Sequence, residues 1–233
     1  SSVIILTGLI DDILELKPRQ KMFGIFVASL VVYFLAGIKV RELSLPFLGH
    51  IQLGWWSFPL TIFWILALTN AVNLIDGLDG LATGVTLISL VTMGIVGFFF
   101  LKSWQHYVPI MCIMLAACLL GFLPYNFHPA KIFLGDTGAL YIGFMISVLS
   151  LKGLKNVTFV SLLVPILILG VPITDTVYAM IRRKLNKKNI SQADKHHLHH
   201  QLMRMGLSHR QTVLAIYGIS LIFSFVSLLS LVS

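Results

Sequence analysis

Residues 70–84, NAVNLIDGLDGLATG, end an apolar run with two amides and two carboxylates. Asn70, Asn73, Asp76 and Asp79 recur at every third position, which places Asn70, Asn73 and Asp76 near one side of a helical turn. The glycines that follow break the helix or allow close backbone approach. One alternative is a capped helix end, with Asp76 or Asp79 as the N-cap of the next helix. Four polar groups exceed what a single cap needs, so the stretch indicates a binding site.

The composition identifies the environment of this stretch. The 233 residues are 57% hydrophobic and 11% charged, with mean hydropathy +0.91, whereas soluble domains carry about 25% charged residues. Because a membrane helix needs about 20 apolar residues, we expect an all-α polytopic membrane bundle of about eight transmembrane segments, forming one domain over residues 1–233. Cys112 and Cys118 lie inside an apolar run, so they do not indicate a disulfide or a metal pair.

The order of the apolar runs predicts which loops share a membrane face. The runs cover residues 1–10, 22–38, 57–70, 80–101, 107–124, 139–151, 158–181 and 211–232. If each run crosses the membrane, the loops on one face are 11–21, 71–79, 125–138 and 182–210. These loops hold twelve of the 17 lysine and arginine residues, which predicts that they are cytoplasmic. The net charge of +8 is explained in the same way and does not indicate a nucleic-acid partner.

The main feature predicted for the opposite membrane face is a short hairpin. Residues 39–56 contain proline and glycine and alternate weakly in polarity, which favours a small outer hairpin. Trp55 and Trp56 at its end are typical of side chains that anchor a protein at the membrane interface.

The first cytoplasmic loop begins with GLIDDILELKPRQK at residues 8–21. Adjacent carboxylates at a membrane boundary, here Asp11 and Asp12, cost free energy unless they are paired, solvated or bound to metal. A purely structural interpretation makes Lys17 and Lys21 their counter-charges at a polar helix end. The functional interpretation is a general base, or a group that places a cation near a phosphate.

The third loop ends with KIFLGDTG at residues 131–138. Asp136, before an apolar run, occupies a position typical of an N-cap, and a helix N-terminus is also favourable for phosphate. Phe133 is either a core residue or a stacking platform for a base. The carboxylate and amide oxygens of this loop and of residues 70–79 suit Mg²⁺, a hard cation that also binds substrate phosphates.

The last loop contains ADKHHLHH at residues 193–200. Histidine clusters can bind zinc, but neither cysteine nor glutamate accompanies them here, and the flanks are basic. Histidines beside lysines fit phosphate better, and a solvated polar loop is the alternative.

Together these residues predict a membrane enzyme with a cytoplasmic, Mg²⁺-dependent, phosphate-handling site. A transporter or lipid-binding protein is the main rival class, because transporters also bury carboxylates and break helices. Transporter sites lie near the bilayer midplane, however, whereas these motifs share one membrane face. A structural membrane scaffold is the third possibility.

The motifs GLIDD, NAVNLIDGLDGLATG, NFHPAKIFLGDTG and HLHH resemble, in order and over nearly the whole chain, those of the polyprenyl-phosphate N-acetylhexosamine-1-phosphate transferases. The HLHH form is more similar to the N-acetylglucosamine-1-phosphate branch than to the muramoyl-pentapeptide branch, which remains the alternative. The resemblance implies that undecaprenyl phosphate attacks the β-phosphorus of UDP-N-acetylglucosamine and releases UMP, as the first membrane step of a cell-envelope polysaccharide.

The resemblance also implies roles for individual residues. Asp136 would carry Mg²⁺, or Mn²⁺, with help from Asn73. Asp11 would deprotonate or orient the lipid phosphate, and the implied catalytic set is Asp11, Asp12 and Asp79. Phe133 would stack on the uracil, with Asn126 and Asp76 near the nucleoside. The implied substrate-binding set is Lys21, Asn70, Asp76, Asn126, Phe133, His197, His199 and His200.

The remaining implications concern the setting of the enzyme. We expect a multi-pass protein of a bacterial cell membrane that meets a UDP-sugar and a polyprenyl phosphate, with a homodimer plausible. Family members usually have further helices before the first motif, so we expect this chain to be N-terminally truncated. Ala139 stands where many relatives have serine.

Overall fold

The computed structural model describes residues 1–45, 49–100, 107–153 and 202–232. Three predicted substrate-binding residues, His197, His199 and His200, lie outside this described part, and their roles stay predictions.

The described chain is a bundle of helices with one small hairpin. The long apolar runs form the helices because each satisfies its own backbone hydrogen bonds without water. The helices are α1 (Ser2–Leu14), α2 (Pro18–Phe34), α3 (Ser57–Ile75), α4 (Leu81–Phe100), α5 (Tyr107–Asn126), α6 (Gly135–Gly153) and α7 (His209–Val232). Pro18 at the first position of α2 suits a helix start, where its missing N–H has no helical partner.

Four segments of the described residues are long and apolar enough to cross a membrane. They are Gly54–Ile75, Leu81–Phe99, Tyr107–Asn126 and His209–Leu229. The helical membrane architecture therefore agrees with the prediction, while the number of eight spans stays a prediction.

The hairpin predicted within residues 39–56 is present. Strand β1 (Glu42–Leu45) pairs antiparallel with β2 (Gly49–Gln52), with Glu42 opposite Gln52. A single 3₁₀ turn, Gly54–Trp56, then leads directly into α3. Trp55 and Trp56 are 84% and 70% exposed, as an interfacial anchor requires.

Small residues bring the helices that carry the polar motifs close together. Helix α6 packs against α1 and α3, and α2 packs against both α1 and α3. A side chain at Gly8 of α1 would collide with the backbone of Thr137 in α6, and one at Gly143 of α6 would lie 2.9 Å from the Cα of Thr69. These close approaches bring the polar motifs together at one end of the bundle.

The second group of helices is formed by α4, which packs against α5 and α7. Many large apolar side chains of α5 and α7 are exposed, including Ile110, Met114, Leu221 and Phe225, whereas several small hydroxyl groups of the bundle are buried, among them Thr83, Thr86 and Ser89. Apolar groups outside and hydroxyl groups between helices are typical of a bundle in lipid.

Candidate active site

A cavity of about 350 Å³ lies where α3 ends and α6 begins. We call it the carboxylate cavity, because four of its lining residues are aspartates. It is lined by Asp12, Asn73, Asp76, Gly77, Leu78, Asp79, Asn126, Phe133, Leu134, Gly135 and Asp136. These residues come from the first three motifs, and no lysine or arginine of the described chain lines the cavity.

Asp136, a predicted metal ligand, lies at the centre of a polar network. Its Oδ1 accepts a hydrogen bond of 2.6 Å from the Asn73 amide and one of 2.7 Å from the Lys21 ammonium. Lys21 Nζ also lies 3.4 Å from Asn73 Oδ1. Helices α2, α3 and α6 each contribute one of these three residues, so the fold brings together the predicted metal pair and Lys21, a member of the predicted substrate-binding set.

Asp11 lies behind this network. It is 4% exposed, and its Oδ2 forms a 2.5 Å ion pair with Lys21 Nζ. Its Oδ1 accepts a hydrogen bond from the backbone N–H of Leu16, and the carboxylate does not line the carboxylate cavity. The interpretation of Lys21 as a counter-charge is therefore confirmed, whereas the role of Asp11 toward a lipid phosphate stays a prediction.

Lys21 is held in its charged form. Burial would lower the pKa of its ammonium, but the hydrogen bonds and negative charges of Asp11 and Asp136 outweigh that effect and raise the pKa above the usual value. One lysine thus links two carboxylates from different helices.

Asp12 has a role that the sequence did not predict. Its Oδ1 accepts the backbone N–H of Asp136 at 2.7 Å, and its Oδ2 accepts the backbone N–H of Thr137 at 3.1 Å and the Thr137 hydroxyl at 2.5 Å. A carboxylate from α1 thus supplies the capping bonds at the start of α6. The expectation that Asp136 itself is the N-cap is wrong, because it lies inside the first turn of α6.

These bonds keep Asp12 ionised. Burial would raise the pKa of Asp12, but the hydrogen bonds from Thr137 and Asp136, with a smaller contribution from the charge of Lys21, lower it below the usual value. A negative charge at the N-terminus of α6 also complements the helix dipole.

Asp76 contrasts with Asp12. No donor of the described residues hydrogen-bonds to its carboxylate, which is half-buried at the end of α3. Burial, and then the charges of Asp136, Asp12 and Asp79, raise the pKa of Asp76 to about 7. The carboxylate cavity therefore carries more negative charge than its own residues compensate.

Asp79 is held by two residues of the loop between α5 and α6. Its Oδ2 lies 2.9 Å from His128 Nδ1 and accepts the backbone N–H of Ala130 at 3.1 Å. Burial would raise the pKa of Asp79, but these bonds and the nearby histidines lower it. These bonds occupy the Oδ2 of Asp79, so the structure gives no support to the alternative that it caps α4.

Four residues in and around this cluster were not identified in the sequence. The His128 ring stacks on the ring of His209, at the start of α7, with centroids 4.1 Å apart. The Arg210 Nε donates to the His128 carbonyl at 3.1 Å, and the Tyr217 hydroxyl donates to the carbonyl of Gly80. The N-terminal half of α7 therefore contacts both loops that line the carboxylate cavity. His128 lies within the third motif, but nothing in the sequence indicates its contact with His209.

The remaining predicted substrate-binding residues differ in how far they are exposed to the carboxylate cavity. Phe133 is 73% exposed at the cavity, so it is not a core residue and can offer a ring face. Asn126 is buried, and its amide is already paired with the Thr83 hydroxyl and the Ile132 carbonyl. Asn70, one turn before Asn73, does not line the cavity.

The donor set fits a divalent oxygen-binding cation. Asp136, Asn73 and Asp76 offer carboxylate and amide oxygens at one cavity, which are the ligands that Mg²⁺ prefers. Burial first, and then the negative charges of the neighbouring aspartates, raise the pKa of Asp76, so the ionised carboxylates of the cavity repel one another. A bound cation would relieve that repulsion.

Several known proteins are similar in sequence to this chain. Residues 1–154 match the family described as glycosyl transferase family 4. The chain is 50% identical over 224 residues to a probable undecaprenyl-phosphate N-acetylglucosaminyl 1-phosphate transferase of Bacillus subtilis, covering 95% of this chain and 62% of the relative. It is 36% identical over 235 residues to a decaprenyl-phosphate N-acetylglucosaminephosphotransferase of Mycobacterium leprae, covering 93% of this chain and 59% of the relative.

A relative named for a different sugar substrate is also similar. A phospho-N-acetylmuramoyl-pentapeptide-transferase of Clostridium botulinum is 34% identical over 238 residues, covering 96% of this chain and 70% of that protein. The chain thus spans about six tenths of the length of the first two relatives. Since the family match covers more than half of the chain, this protein belongs to glycosyl transferase family 4.

Proposed function

We propose that this protein transfers N-acetylglucosamine 1-phosphate from UDP-N-acetylglucosamine to undecaprenyl phosphate, with Mg²⁺, and releases UMP. The reacting centre is the carboxylate cavity, facing the cytoplasm of a bacterial cell. The product would begin a cell-envelope polysaccharide. The relatives at 50% and 36% identity are both described as acting with N-acetylglucosamine and a polyprenyl phosphate, which is undecaprenyl phosphate for the first and decaprenyl phosphate for the second.

The observation that carries the proposal is the charge of the carboxylate cavity. Asp12, Asp76, Asp79 and Asp136 line it, and among the described residues the only lysine or arginine paired with any of them is Lys21, whose charge is shared between Asp136 and Asp11. A nucleotide diphosphate is itself an anion, so this cavity would repel it unless a cation bridged the two. A phosphate-handling site built from carboxylates therefore points to a metal-dependent reaction.

Asp136 and Asn73 would hold the cation, with Asp76 the third oxygen donor in reach of the cavity. When bound, Mg²⁺ would neutralise charge that develops on the phosphoryl oxygens. The Asn73 amide N–H donates to Asp136 Oδ1 at 2.6 Å, so the two side chains lie side by side, and a rotation of the Asn73 amide would present its oxygen to the same ion.

The other residues position the reactants. Asp12 fixes the start of α6, and hence the backbone of Asp136. Lys21 forms ion pairs with both Asp136 and Asp11. The buried carboxylate of Asp11 is therefore next to the reacting centre, where it would orient the lipid phosphate. The exposed ring of Phe133 is available to stack on the uracil. Because phosphoryl transfer depends chiefly on positioning and electrostatics, these fixed contacts account for most of the expected catalysis.

Transfer of a radiolabelled sugar into the lipid phase tests this proposal. With undecaprenyl phosphate as acceptor, we expect label from UDP-N-acetylglucosamine to enter the organic phase, and much less from UDP-N-acetylmuramoyl-pentapeptide. The reverse preference would favour the muramoyl branch, to which the chain is 34% identical. Tight binding of donor or lipid with no transferred label would instead indicate a transporter or a lipid-binding protein.

A further inference from the structure

A second cavity, of about 280 Å³, lies at the other end of α3. We call it the basic cavity; it is lined by Tyr33, Lys39, Arg41, Glu42, Gln52, Gly54 and Ser57. Helix α3 has 19 residues, so at about 1.5 Å per residue it separates the two cavities by about 28 Å. That distance is close to the thickness of the hydrocarbon core, about 30 Å.

The basic cavity is therefore placed at the membrane interface opposite the carboxylate cavity. Trp55 and Trp56, exposed beside it, are typical of that depth. Basic residues are uncommon on the non-cytoplasmic face, so two of them at one cavity require a physical reason.

The two cations of the basic cavity form no ion pair with a described residue, although Glu42 lines the same cavity. Among the described residues, no carboxylate lies within 4.0 Å of Lys39 or Arg41. Lys39 is half-buried, and its Nζ lies 5.2 Å from the centroid of the Tyr33 ring. A half-buried ammonium gains little from water and favours an anionic partner.

A neutral donor in the same cavity also lacks a partner. Ser57 is 4% exposed, and no group of the described chain hydrogen-bonds to its hydroxyl. It stands at the N-terminus of α3, where the helix dipole favours an anion. An unpaired buried hydroxyl costs free energy unless a ligand or water satisfies it.

We propose that the basic cavity binds a phosphodiester anion, with Lys39 and Arg41 on the phosphate and the Ser57 hydroxyl as a further donor. Glu42 lines the same cavity, so a ligand with a single negative charge fits better than a polyanion. The phosphate can come from a phospholipid headgroup of the opposite leaflet or from a soluble phosphodiester. This site is separate from the proposed transferase reaction.

Binding of fluorescent phosphatidylglycerol to the purified chain in neutral detergent tests the proposal. We expect Lys39→Ala combined with Arg41→Ala to weaken binding at least about tenfold, since each hydrogen bond to a charged group contributes about 1.5–3 kcal/mol. The matched control combines Arg19→Ala with Lys131→Ala, which removes two exposed cations outside the basic cavity. We expect less than a twofold change there.

A single substitution and a competition experiment provide two further tests of the basic cavity. Ser57→Ala is expected to weaken binding about threefold with a melting temperature no lower than that of the wild type, because it removes an unpaired buried hydroxyl; it therefore tests the site even if the double variant is unstable. Glycerophosphoglycerol, the soluble headgroup, should compete if the phosphodiester alone is recognised, and failure to compete would assign the site to the intact lipid. Equal weakening in the control variant, or equal binding of a neutral glycolipid without phosphate, would overturn the proposal.

Discussion

Asp12, near the end of α1, accepts a 2.7 Å hydrogen bond from the backbone N–H of Asp136 in the first turn of α6. Two carboxylates that the sequence assigns to separate motifs are thus parts of one structural unit. The side chain of the first fixes the backbone of the second. This relationship makes Asp12 a positioning residue.

Asp12→Ala removes an acceptor of three hydrogen bonds, two to Thr137 and one to Asp136. We expect kcat to fall about 100-fold, because displacement of a reacting group by about 1 Å has an effect of that size. Asp12→Asn keeps one acceptor oxygen and should lose less. A positioning role leaves the pH profile of the residual activity unchanged, so a lost acidic limb would contradict it.

Lys21→Met leaves Asp11, at 4% exposure, without its counter-charge. Removing one partner of a buried ion pair costs about 3–5 kcal/mol, and we expect the free energy of unfolding to fall by about this amount. Denaturant titration in detergent measures it. The double variant Lys21→Met with Asp11→Asn should recover most of the loss, and additive effects of the two changes would contradict the pairing.

The pKa of Asp76, about 7 in the folded chain against the ordinary 3.8 of an aspartate, makes stability depend on pH. The folded protein binds this proton more tightly than the unfolded chain, so the contribution is complete below pH 3.8 and is lost as the pH rises through 7. We expect Asp76→Asn, which cannot ionise, to melt at a higher temperature than the wild type at pH 8 in EDTA. The difference should shrink at pH 5, and a difference independent of pH would contradict this account.

Phe133→Ala should raise KM for the UDP-sugar and leave kcat nearly unchanged. Stacking of a base on an aromatic ring contributes about 1–3 kcal/mol, which corresponds to about 5- to 150-fold in affinity. Since Phe133 is 73% exposed, its replacement leaves the core intact. Ile132→Ala, at the adjacent and 52% exposed position, is the matched control, and an equal effect there would argue against stacking.

Loop order along the chain was enough to predict which motifs meet. The alternation of apolar runs placed Asp12, Asn73 and Asp136 at one end of the bundle, and all three line the carboxylate cavity. The hairpin of residues 42–52 followed from local polarity and turn residues. Both predictions depended only on the order and the polarity of segments along the chain.

Contacts between distant segments were not predictable in this way. Asp12 caps α6 because Gly8 lets α1 approach the backbone of Thr137. His209 stacks on His128, 81 positions earlier, because α7 packs against α4 beside the same loops. A capping carboxylate or a stacked histidine has no local sequence pattern when its partner belongs to another helix.

Release of UMP by the purified protein is the most direct test of the central claim that the carboxylate cavity performs a metal-dependent transfer. The assay supplies UDP-N-acetylglucosamine with and without undecaprenyl phosphate and Mg²⁺, for the wild type and for Asp136→Asn. We predict release that needs both lipid and metal and that falls at least about 100-fold in the variant, while its melting temperature stays near that of the wild type. Undiminished release by Asp136→Asn, or release without a divalent cation, would contradict the account.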